Sequence, residues 1–355
     1  DDGATWKAIK GPKLPSSETW AAHLAVNPAN ADHMVIAART TRLAWSPRDE
    51  NGGLDVSGLD MAQLGPMLGR VEGMGVWQGL RVTNRLDPTE QPFLNDHRID
   101  GTAVLPGVMG VEAFVEAARL PFPELEVLAV EDVEFGSAFK FYRDEPRDVE
   151  VRAWFGLEGE DVVADCQLVG SRQLPGRDAP QETVHFTGRV RLGAASGELS
   201  ARDPAPAAGG AVLEPADLYR YYFHGPAYQV VGGAWHAAGA VVARLAQALP
   251  PNHVPTTRGL ATHPRLLELC FQAAGAQEIA ASSRMGLPHR IARVRFAAAA
   301  SDDAHAVVAP RGADAPAEVA VVDSRGRVLV SLEGYETVAL PNPLDAPPLR
   351  GALLP

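Results

Sequence analysis

Residues 92–118 read PFLNDHRIDGTAVLPGVMGVEAFVEAA, a short polar turn that leads directly into an apolar helix. His97, Gly101 and Pro106 form an H-x-x-x-G-x-x-x-x-P pattern within this stretch. Beyond the proline, apolar residues recur at helical spacing, which predicts a helix over residues 108–119. The segment therefore places a histidine close to the beginning of a buried helix.

The residues around His97 are those expected for a base that works beside a helix N-terminus. Gly101 has no Cβ and lets the backbone approach a ligand closely. Pro106 and Gly107 open the helix, where the missing N–H of proline does no harm. The first free N–H groups of the helix, near Gly107, can polarise a carbonyl oxygen. The alternative is a surface histidine with glycine and proline acting only as turn residues, because short motifs also match by chance.

A second cluster lies in HPRLLELCFQ, residues 263–272. Glu268 and Gln272 are spaced i and i+4, so they project from one face of a predicted helix over residues 264–280. Their neighbours are apolar, and burial raises the pKa of a carboxyl group. A carboxyl that stays protonated near neutral pH can protonate a departing hydroxyl. The alternative is an exposed glutamate on an ordinary amphipathic helix.

Both motifs occur in segments with the same order of elements, one apolar helix among several strand-like stretches. This order predicts a pseudo-duplicated α+β architecture, in which a curled antiparallel sheet covers each helix. Aperiodic stretches rich in proline and small residues separate the parts. The predicted organisation, in chain order, is an N-terminal segment or linker at 1–64, a first half with the histidine at 65–194, a linker at 195–212, a second half with the glutamate at 213–340, and a C-terminal linker at 341–355.

The first 60 residues stand apart from both halves. DDGATWKAI, followed by VNPANADHMVIAART, resembles one Asp-box repeat of a sialidase-type β-propeller. A single propeller blade cannot bury its own face. We interpret this part as the end of a neighbouring domain with a linker, and assign it no activity.

Composition argues against several functional classes. The chain has 32 Lys and Arg against 44 Asp and Glu, a formal net charge of −12, which disfavours nucleic acid and anionic membranes as partners. No apolar run reaches the roughly 18 residues of a membrane-spanning helix. The two cysteines, Cys166 and Cys270, lack a metal-ligand spacing, so we predict no metal site and a reducing, cytoplasmic location.

The order of these motifs resembles the dehydratase domain of polyketide synthases and polyunsaturated fatty acid synthases. FLNDHRIDG resembles the family's WLxDHxVxG, and VLPGVMGVEAFVEAA resembles the helix that follows it. PMLG at 66–69 resembles the opening hPLLG, and VHFTG at 184–188 resembles the strand that closes the first half, where we expect His185 to be structural. The resemblance implies a double hotdog, with two antiparallel sheets each wrapped around a central helix.

In the second half, HPRLLELCFQ resembles the family's HPxLLDxxxQ/H, so Glu268 replaces the catalytic Asp and Gln272 matches its helper. YRYYFHGPAYQ, residues 219–229, resembles GYxYGPxFQG, and His224 stands where Tyr is usual. The resemblance implies that this block lines the acyl tunnel. The predicted tunnel residues are Tyr222, His224, Gly225, Pro226 and Tyr228.

The resemblance implies a 3-hydroxyacyl dehydratase with His97 as the base, Glu268 as the acid and Gln272 in support. N–H groups near Gly107 stabilise the enolate oxygen, and neither metal nor redox cofactor is required. The resemblance also implies an acyl carrier protein that delivers the substrate on phosphopantetheine, neighbouring synthase domains and a homodimer. Three alternatives stay open: a double-bond isomerase, a product-template-like cyclase, and an inactive dimerising scaffold that binds the carrier.

Overall fold

A computed structural model describes residues 65–355, apart from 76–78, 174–175, 177–178, 195–198, 299–300 and 313–314. Of the first 64 residues it describes only the backbone of two paired strands, β1 (His23–Asn27) and β2 (Asn30–Ala37). The rest of the Asp-box-like stretch lies outside the described residues. The interpretation of this segment therefore stays a prediction.

The first half contains one long helix, α2, and strands on either side of it. In chain order the elements are β3 (Arg70–Gly75), β4 (Gly79–Leu86), α1 (Pro92–Asn95), β5 (Arg98–Ile99), β6 (Thr102–Val104), α2 (Gly107–Arg119), β7 (Glu126–Phe135), β8 (Lys140–Phe141), β9 (Arg147–Glu158), β10 (Asp161–Arg172) and β11 (Gln181–Gly193).

The second half repeats this order around one long helix, α4. Its elements are α3 (Pro215–Leu218), β12 (Val231–Ala237), β13 (Ala240–Leu245), α4 (Pro264–Ser282), β14 (Arg284–Phe296), β15 (Ala304–Val308), β16 (Ala317–Asp323), β17 (Val328–Pro343) and α5 (Pro347–Leu353). The predicted double hotdog, one helix inside a curled antiparallel sheet in each half, is confirmed.

The sheets of the two halves are continuous. Twelve antiparallel strands follow the order β12-β13-β15-β16-β17-β14-β7-β11-β10-β9-β4-β3, and β7 pairs with β14 where the halves meet. At this joint Val130 lies opposite Val294. Glu131 binds Arg293 of the second half and, at 3.0 Å, Arg191 of the first. The joint therefore fixes how the two central helices lie relative to each other.

Both long helices are core elements. Every residue of α2 from Val108 to Ala118 is buried, because the strands of its own half and helix α4 surround it. The helix ends two residues before Pro121, whose ring cannot continue it. Among the described residues, no helix has the length and apolarity needed to cross a membrane.

The C-terminal stretch differs from the predicted linker at 341–355. Strand β17 continues to Pro343, and α5 covers Pro347–Leu353 with Leu349 and Leu353 buried against the second half. The prediction of a linker rested on the many prolines of this aperiodic stretch, which lack the N–H of a regular element. Pro347 lies in the first turn of α5, where a missing N–H costs nothing, so the helix forms.

Candidate active site

His97 lies in the turn between α1 and β5, and its side chain is almost fully buried. Its Nδ1 is 2.8 Å from the carbonyl oxygen of Val104, which can only accept a hydrogen bond. Nδ1 must therefore carry the proton, and the partner assigns this tautomer. The remaining nitrogen, Nε2, is left with a free lone pair, as a general base requires.

Glu268 lies on α4 and is held by Gln272 from one helical turn away. The Gln272 Nε2 donates to Glu268 Oε1 at 2.9 Å and to the Tyr228 carbonyl at 2.8 Å. The Tyr219 hydroxyl donates to Gln272 Oε1 at 2.8 Å. These partners fix the orientation of the amide, so its N–H side faces the carboxyl. Gln272 thus has the supporting position predicted from its spacing.

His224 connects the two motifs. Its Nε2 lies 3.1 Å from Glu268 Oε1, and its backbone pairs with that of His97 in an isolated antiparallel bridge. The rings of His97 and His224 have centroids 5.3 Å apart. The imidazole of the first half and the carboxyl of the second, separated by 171 positions in sequence (268 minus 97), therefore meet at one place.

These groups open onto a cavity of about 330 Å³ between the two halves. His97, His224 and Glu268 lie in its wall. The rest of the wall is mostly apolar and includes Val104, Leu105, Phe135, Phe186, Phe271 and Leu287. Such a cavity suits an acyl chain that presents one polar end to the histidines and the carboxyl.

The surroundings shift the pKa values of both predicted catalytic groups downward. Burial, together with the neighbouring His224, lowers the pKa of His97 to about 4, so its ring is neutral near pH 7. Burial raises the pKa of Glu268, but the hydrogen bond and charge of His224, the charge of His97 and the amide of Gln272 lower it more. The prediction that apolar surroundings raise the pKa of Glu268 is therefore wrong, because its polar partners outweigh burial.

Of the residues predicted to support the base, Gly107 and Pro106 have their expected places. Pro106 is the N-cap of α2, and Gly107 is the first residue of the helix and part of the cavity wall. Gly101 is instead exposed in the turn between β5 and β6, away from the cavity wall. Its φ of +77° explains the glycine, since other residues rarely adopt that backbone conformation. The predicted close approach of Gly101 to a ligand is thus wrong.

The predicted tunnel residues divide into two groups. Tyr222 and His224 are in the wall of the cavity, whereas Gly225, Pro226 and Tyr228 are not part of the wall formed by the described residues. Gly225 donates its N–H to the Asp96 carbonyl at 2.7 Å, and a Cβ on it would come within 2.7 Å of the Asp96 carboxylate. This Gly-Pro segment therefore holds the His224 strand against the His97 turn. Its assignment to the tunnel wall is corrected.

Two residues that organise the site were not selected from the sequence. Asp96 accepts the Ala227 N–H at 2.7 Å and so connects the motifs of the two halves. Tyr219 contacts Gln272 and also accepts the Val231 N–H at 2.8 Å. Asp96 was a possible candidate, because a carboxylate next to the motif histidine is a ready acceptor. Nothing in the local sequence indicates the role of Tyr219.

His185 lies outside the cavity wall, in agreement with the structural role expected for it. Its Nδ1 is 2.8 Å from the Ser137 carbonyl oxygen, and its ring packs on Phe139 with centroids 4.7 Å apart. A Cβ on Gly170 would meet its Nε2 at 2.8 Å. The ring thus fills space between strands.

Two helix-in-sheet halves, with an imidazole and a carboxyl converging on one apolar cavity, define the double-hotdog class. Two family models match the chain, "Polyketide synthase dehydratase domain" over residues 65–163 and "Polyketide synthase dehydratase N-terminal domain" over residues 196–347. The chain belongs to the polyketide synthase dehydratase family.

Known proteins with similar sequences are large synthases. The chain is 30% identical over 251 residues to polyketide synthase GfsB of Streptomyces halstedii. This match covers 65% of this chain and 4% of that protein. It is also 30% identical over 271 residues to the pikromycin polyketide synthase component PikAII of Streptomyces venezuelae. That match covers 72% of this chain and 7% of that protein. The chain thus spans a small part of the length of these relatives.

Solved structures agree on the fold. The dehydratase domain from the CurF module of curacin polyketide synthase superposes with a TM-score of 0.62 at 19% identity, covering 78% of this chain and 99% of that domain. A trans-AT polyketide synthase dehydratase domain from Brevibacillus brevis gives a TM-score of 0.59 at 19% identity, with coverages of 79% and 99%.

Proposed function

We propose that the chain eliminates water from a 3-hydroxyacyl thioester to give the 2-enoyl thioester, with His97 as the base and Glu268 as the acid. The observation that carries the proposal is the position of both side chains in the wall of one cavity, joined through His224. A base and an acid on either side of one small molecule are what a β-elimination needs.

The geometry supports a separate task for each group. His97 Nε2, left as an acceptor by the bond from Nδ1 to Val104, takes the α-proton of the substrate. The N–H of Gly107, at the first position of α2 and in the cavity wall, is a donor for the thioester oxygen as negative charge develops there. Glu268 protonates the hydroxyl as it leaves. Gln272 keeps the carboxyl in this orientation.

We also propose three kinds of partner for the chain. An acyl carrier protein delivers the substrate on a phosphopantetheine arm, neighbouring synthase domains flank the chain, and two chains form a dimer. Three arginines of β14 form ion pairs within the chain: Arg290 pairs with Asp132, Arg293 with Glu131 and Arg295 with Glu333. The chemistry proposed for His97 and Glu268 needs no metal or redox cofactor.

The direct test is turnover of a 3-hydroxyacyl pantetheine thioester by the purified chain, followed by mass spectrometry. We expect the 2-enoyl product, and loss of this product in His97→Ala and in Glu268→Gln. His236→Gln and Glu160→Gln, which change the same residue types outside the cavity wall, serve as matched controls and retain turnover.

The other outcomes separate the alternatives. A product with a shifted double bond indicates an isomerase, and a cyclised product indicates a template-like cyclase. Absence of turnover in both directions, hydration of the enoyl thioester included, indicates a scaffold and overturns the proposal.

A further inference from the structure

His224 contacts the acid and pairs with the turn that holds the base. Its Nε2 is 3.1 Å from Glu268 Oε1, and both side chains are about 95% buried, with exposures of 6% and 5%. Its ring stacks on Phe223 with centroids 4.5 Å apart and lies edge-on to Tyr222 at 5.5 Å. The contact between imidazole and carboxyl is therefore fixed by packing and sheltered from bulk water.

The hydrogen bond between Nε2 and Oε1 requires a proton between these two atoms. The other ring nitrogen, Nδ1, is buried and has no hydrogen-bond partner among the described residues. Among the described residues, the Glu268 carboxylate at 3.1 Å is therefore the group in contact with the ring that can compensate a positive charge on it.

The charged and titratable groups around His224 come from several elements. They are His97 on the turn before β5, Tyr222 on its own segment and Glu268 on α4. Asp96 contacts the next residue, Gly225, and Tyr228 lies edge-on to His97. Asp96 directs one carboxylate oxygen to the Ala227 N–H. Of these groups, Glu268 is the one in direct contact with the His224 ring through a charged atom.

We propose that His224 stores the proton of the acid, as an imidazolium beside the Glu268 carboxylate, and supplies it to Glu268 during turnover. The inference deepens the proposed dehydration and rests on it. The downward shift in the pKa of Glu268 supports it, since a carboxyl that is an anion at rest needs a proton from elsewhere. His224 acts through Glu268 and is therefore a positioning and proton-supplying residue.

The step balances as follows. His97 Nε2 takes the α-proton, and the electron pair of that C–H bond forms the C2–C3 double bond. His224 passes its Nε2 proton to the Glu268 carboxylate and becomes neutral. The C3–O bond breaks, its electron pair leaves with the oxygen, and that oxygen takes the proton from Glu268 to complete a water molecule, which leaves Glu268 as the carboxylate again. The proton on His97 then returns to His224, whose ring centroid is 5.3 Å away, through the released water.

His224→Gln is the decisive variant, because its side-chain amide can donate to Glu268 from the position of Nε2 but cannot carry an extra proton. We expect kcat at neutral pH to fall by about tenfold or more, as for loss of a general acid. The high-pH limb of the kcat profile moves to lower pH, so that activity recovers on acidification. His236→Gln keeps the wild-type profile. A His224→Gln enzyme with the wild-type rate and pH profile overturns the inference.

Histidine NMR supplies a readout that needs no turnover. In the chain labelled with ¹⁵N-histidine, we expect both ring nitrogens of His224 to be protonated at neutral pH, while His97 is neutral with one proton. His224→Gln and His224→Tyr assign the resonances, the second in case the first does not fold. A neutral His224 ring contradicts the inference even if dehydration is confirmed. A charged His224 in a chain without turnover contradicts the proposed function alone.

Discussion

Glu112 accepts two hydrogen bonds from Thr262, one from its backbone N–H at 2.9 Å and one from its hydroxyl. The backbone N–H of Ala261 adds a third at 2.5 Å. Glu112 lies in the middle of α2, and Thr262 lies in the loop that leads into α4. A fully buried carboxyl of the first half thus anchors the start of the helix that carries Glu268.

Replacing Glu112 by Ala leaves three donors at the interface between the halves without their acceptor. Because buried donors without partners are costly, we expect the free energy of unfolding to fall by about 3 kcal/mol. Urea denaturation followed by circular dichroism measures the change. Glu160→Ala, in an exposed turn, is the control and leaves the midpoint in place. Equal midpoints for the two variants would show that this anchor contributes nothing.

Glu116, one turn further along α2, makes stability depend on pH. Burial and the neighbouring Glu112 raise the pKa of Glu116 well above its ordinary 4.5. Because the folded state holds the proton of Glu116 more tightly than the unfolded state does, this proton stabilises the fold. The stabilisation is complete below pH 4.5 and is lost as pH rises through the pKa of Glu116 in the folded state. Glu116→Gln imitates the neutral carboxyl and can still accept the Met67 N–H. The free energy of unfolding of the variant should therefore rise relative to the wild type as pH rises. Urea denaturation at a series of pH values measures this difference, with Glu90→Gln at an exposed position as the control.

The lowered pKa of His97 predicts an unusual acid limb. With a pKa of about 4, the base form persists between pH 6.5 and about 4, where an ordinary histidine becomes protonated. We therefore expect kcat/KM to hold through this window and to fall near pH 4. The free energy of unfolding behaves differently. In the unfolded chain the pKa of His97 is about 6.5, so between pH 6.5 and 4 the unfolded state binds a proton that the folded state does not bind. The free energy of unfolding therefore decreases as pH falls from 6.5 towards 4. Circular dichroism at each pH separates the two effects, and an acid limb near 6.5 in folded enzyme contradicts the prediction.

Gly107 leaves room for a phenylalanine in the cavity wall. A Cβ at this position would lie 2.8 Å from Cε1 of Phe135, so Gly107→Ala has to displace that ring. Misplacement of this size beside the reacting groups should lower kcat/KM by about tenfold. Gly156→Ala meets no atom within 4 Å and serves as the matched control. Equal kinetics for the two variants would mean that Phe135 moves without affecting the substrate.

The C-terminal helix contributes to the core of the second half. Leu349 on α5 is fully buried, whereas Leu354, just beyond the helix, is 37% exposed. We expect Leu349→Ala to lower the free energy of unfolding by about 2–4 kcal/mol through the cavity it leaves. Leu354→Ala should have little effect in the same denaturation assay. If both behave alike, α5 does not pack as described.

The sequence predicts the two central helices because these depend on local patterns, and it predicts the meeting of His97 with Glu268 only through the resemblance of their motifs to those of the family. The apolar spacing of α2 and α4 reflects burial on nearly all sides, and each motif precedes or occupies the helix that positions it. The residues at which the two helices begin can also be predicted from local sequence, because Pro106 and Pro264 lie at helix-start positions where proline is tolerated.

The remaining features depend on contacts between distant residues. The pairing of β7 with β14 joins strands whose sequences carry no sign of their partner. The bonds from His224 and Gln272 to Glu268 reverse the pKa shift that burial alone predicts. Gly225 resembles a tunnel residue by motif, but its contact with Asp96 shows that it secures the strand instead. Such roles become visible only once both halves are in place.

The pairing of β7 with β14 has a consequence for how a ligand enters the cavity. Four residue pairs, from Arg290 with Glu134 to Val294 with Val130, would have to separate before the two halves could rotate away from each other. A ligand therefore has to enter the cavity while the two halves stay joined. For the dehydration proposed above, discrimination among acyl chains would then follow from the shape of the cavity, and substitutions in its wall would alter which chains are accepted.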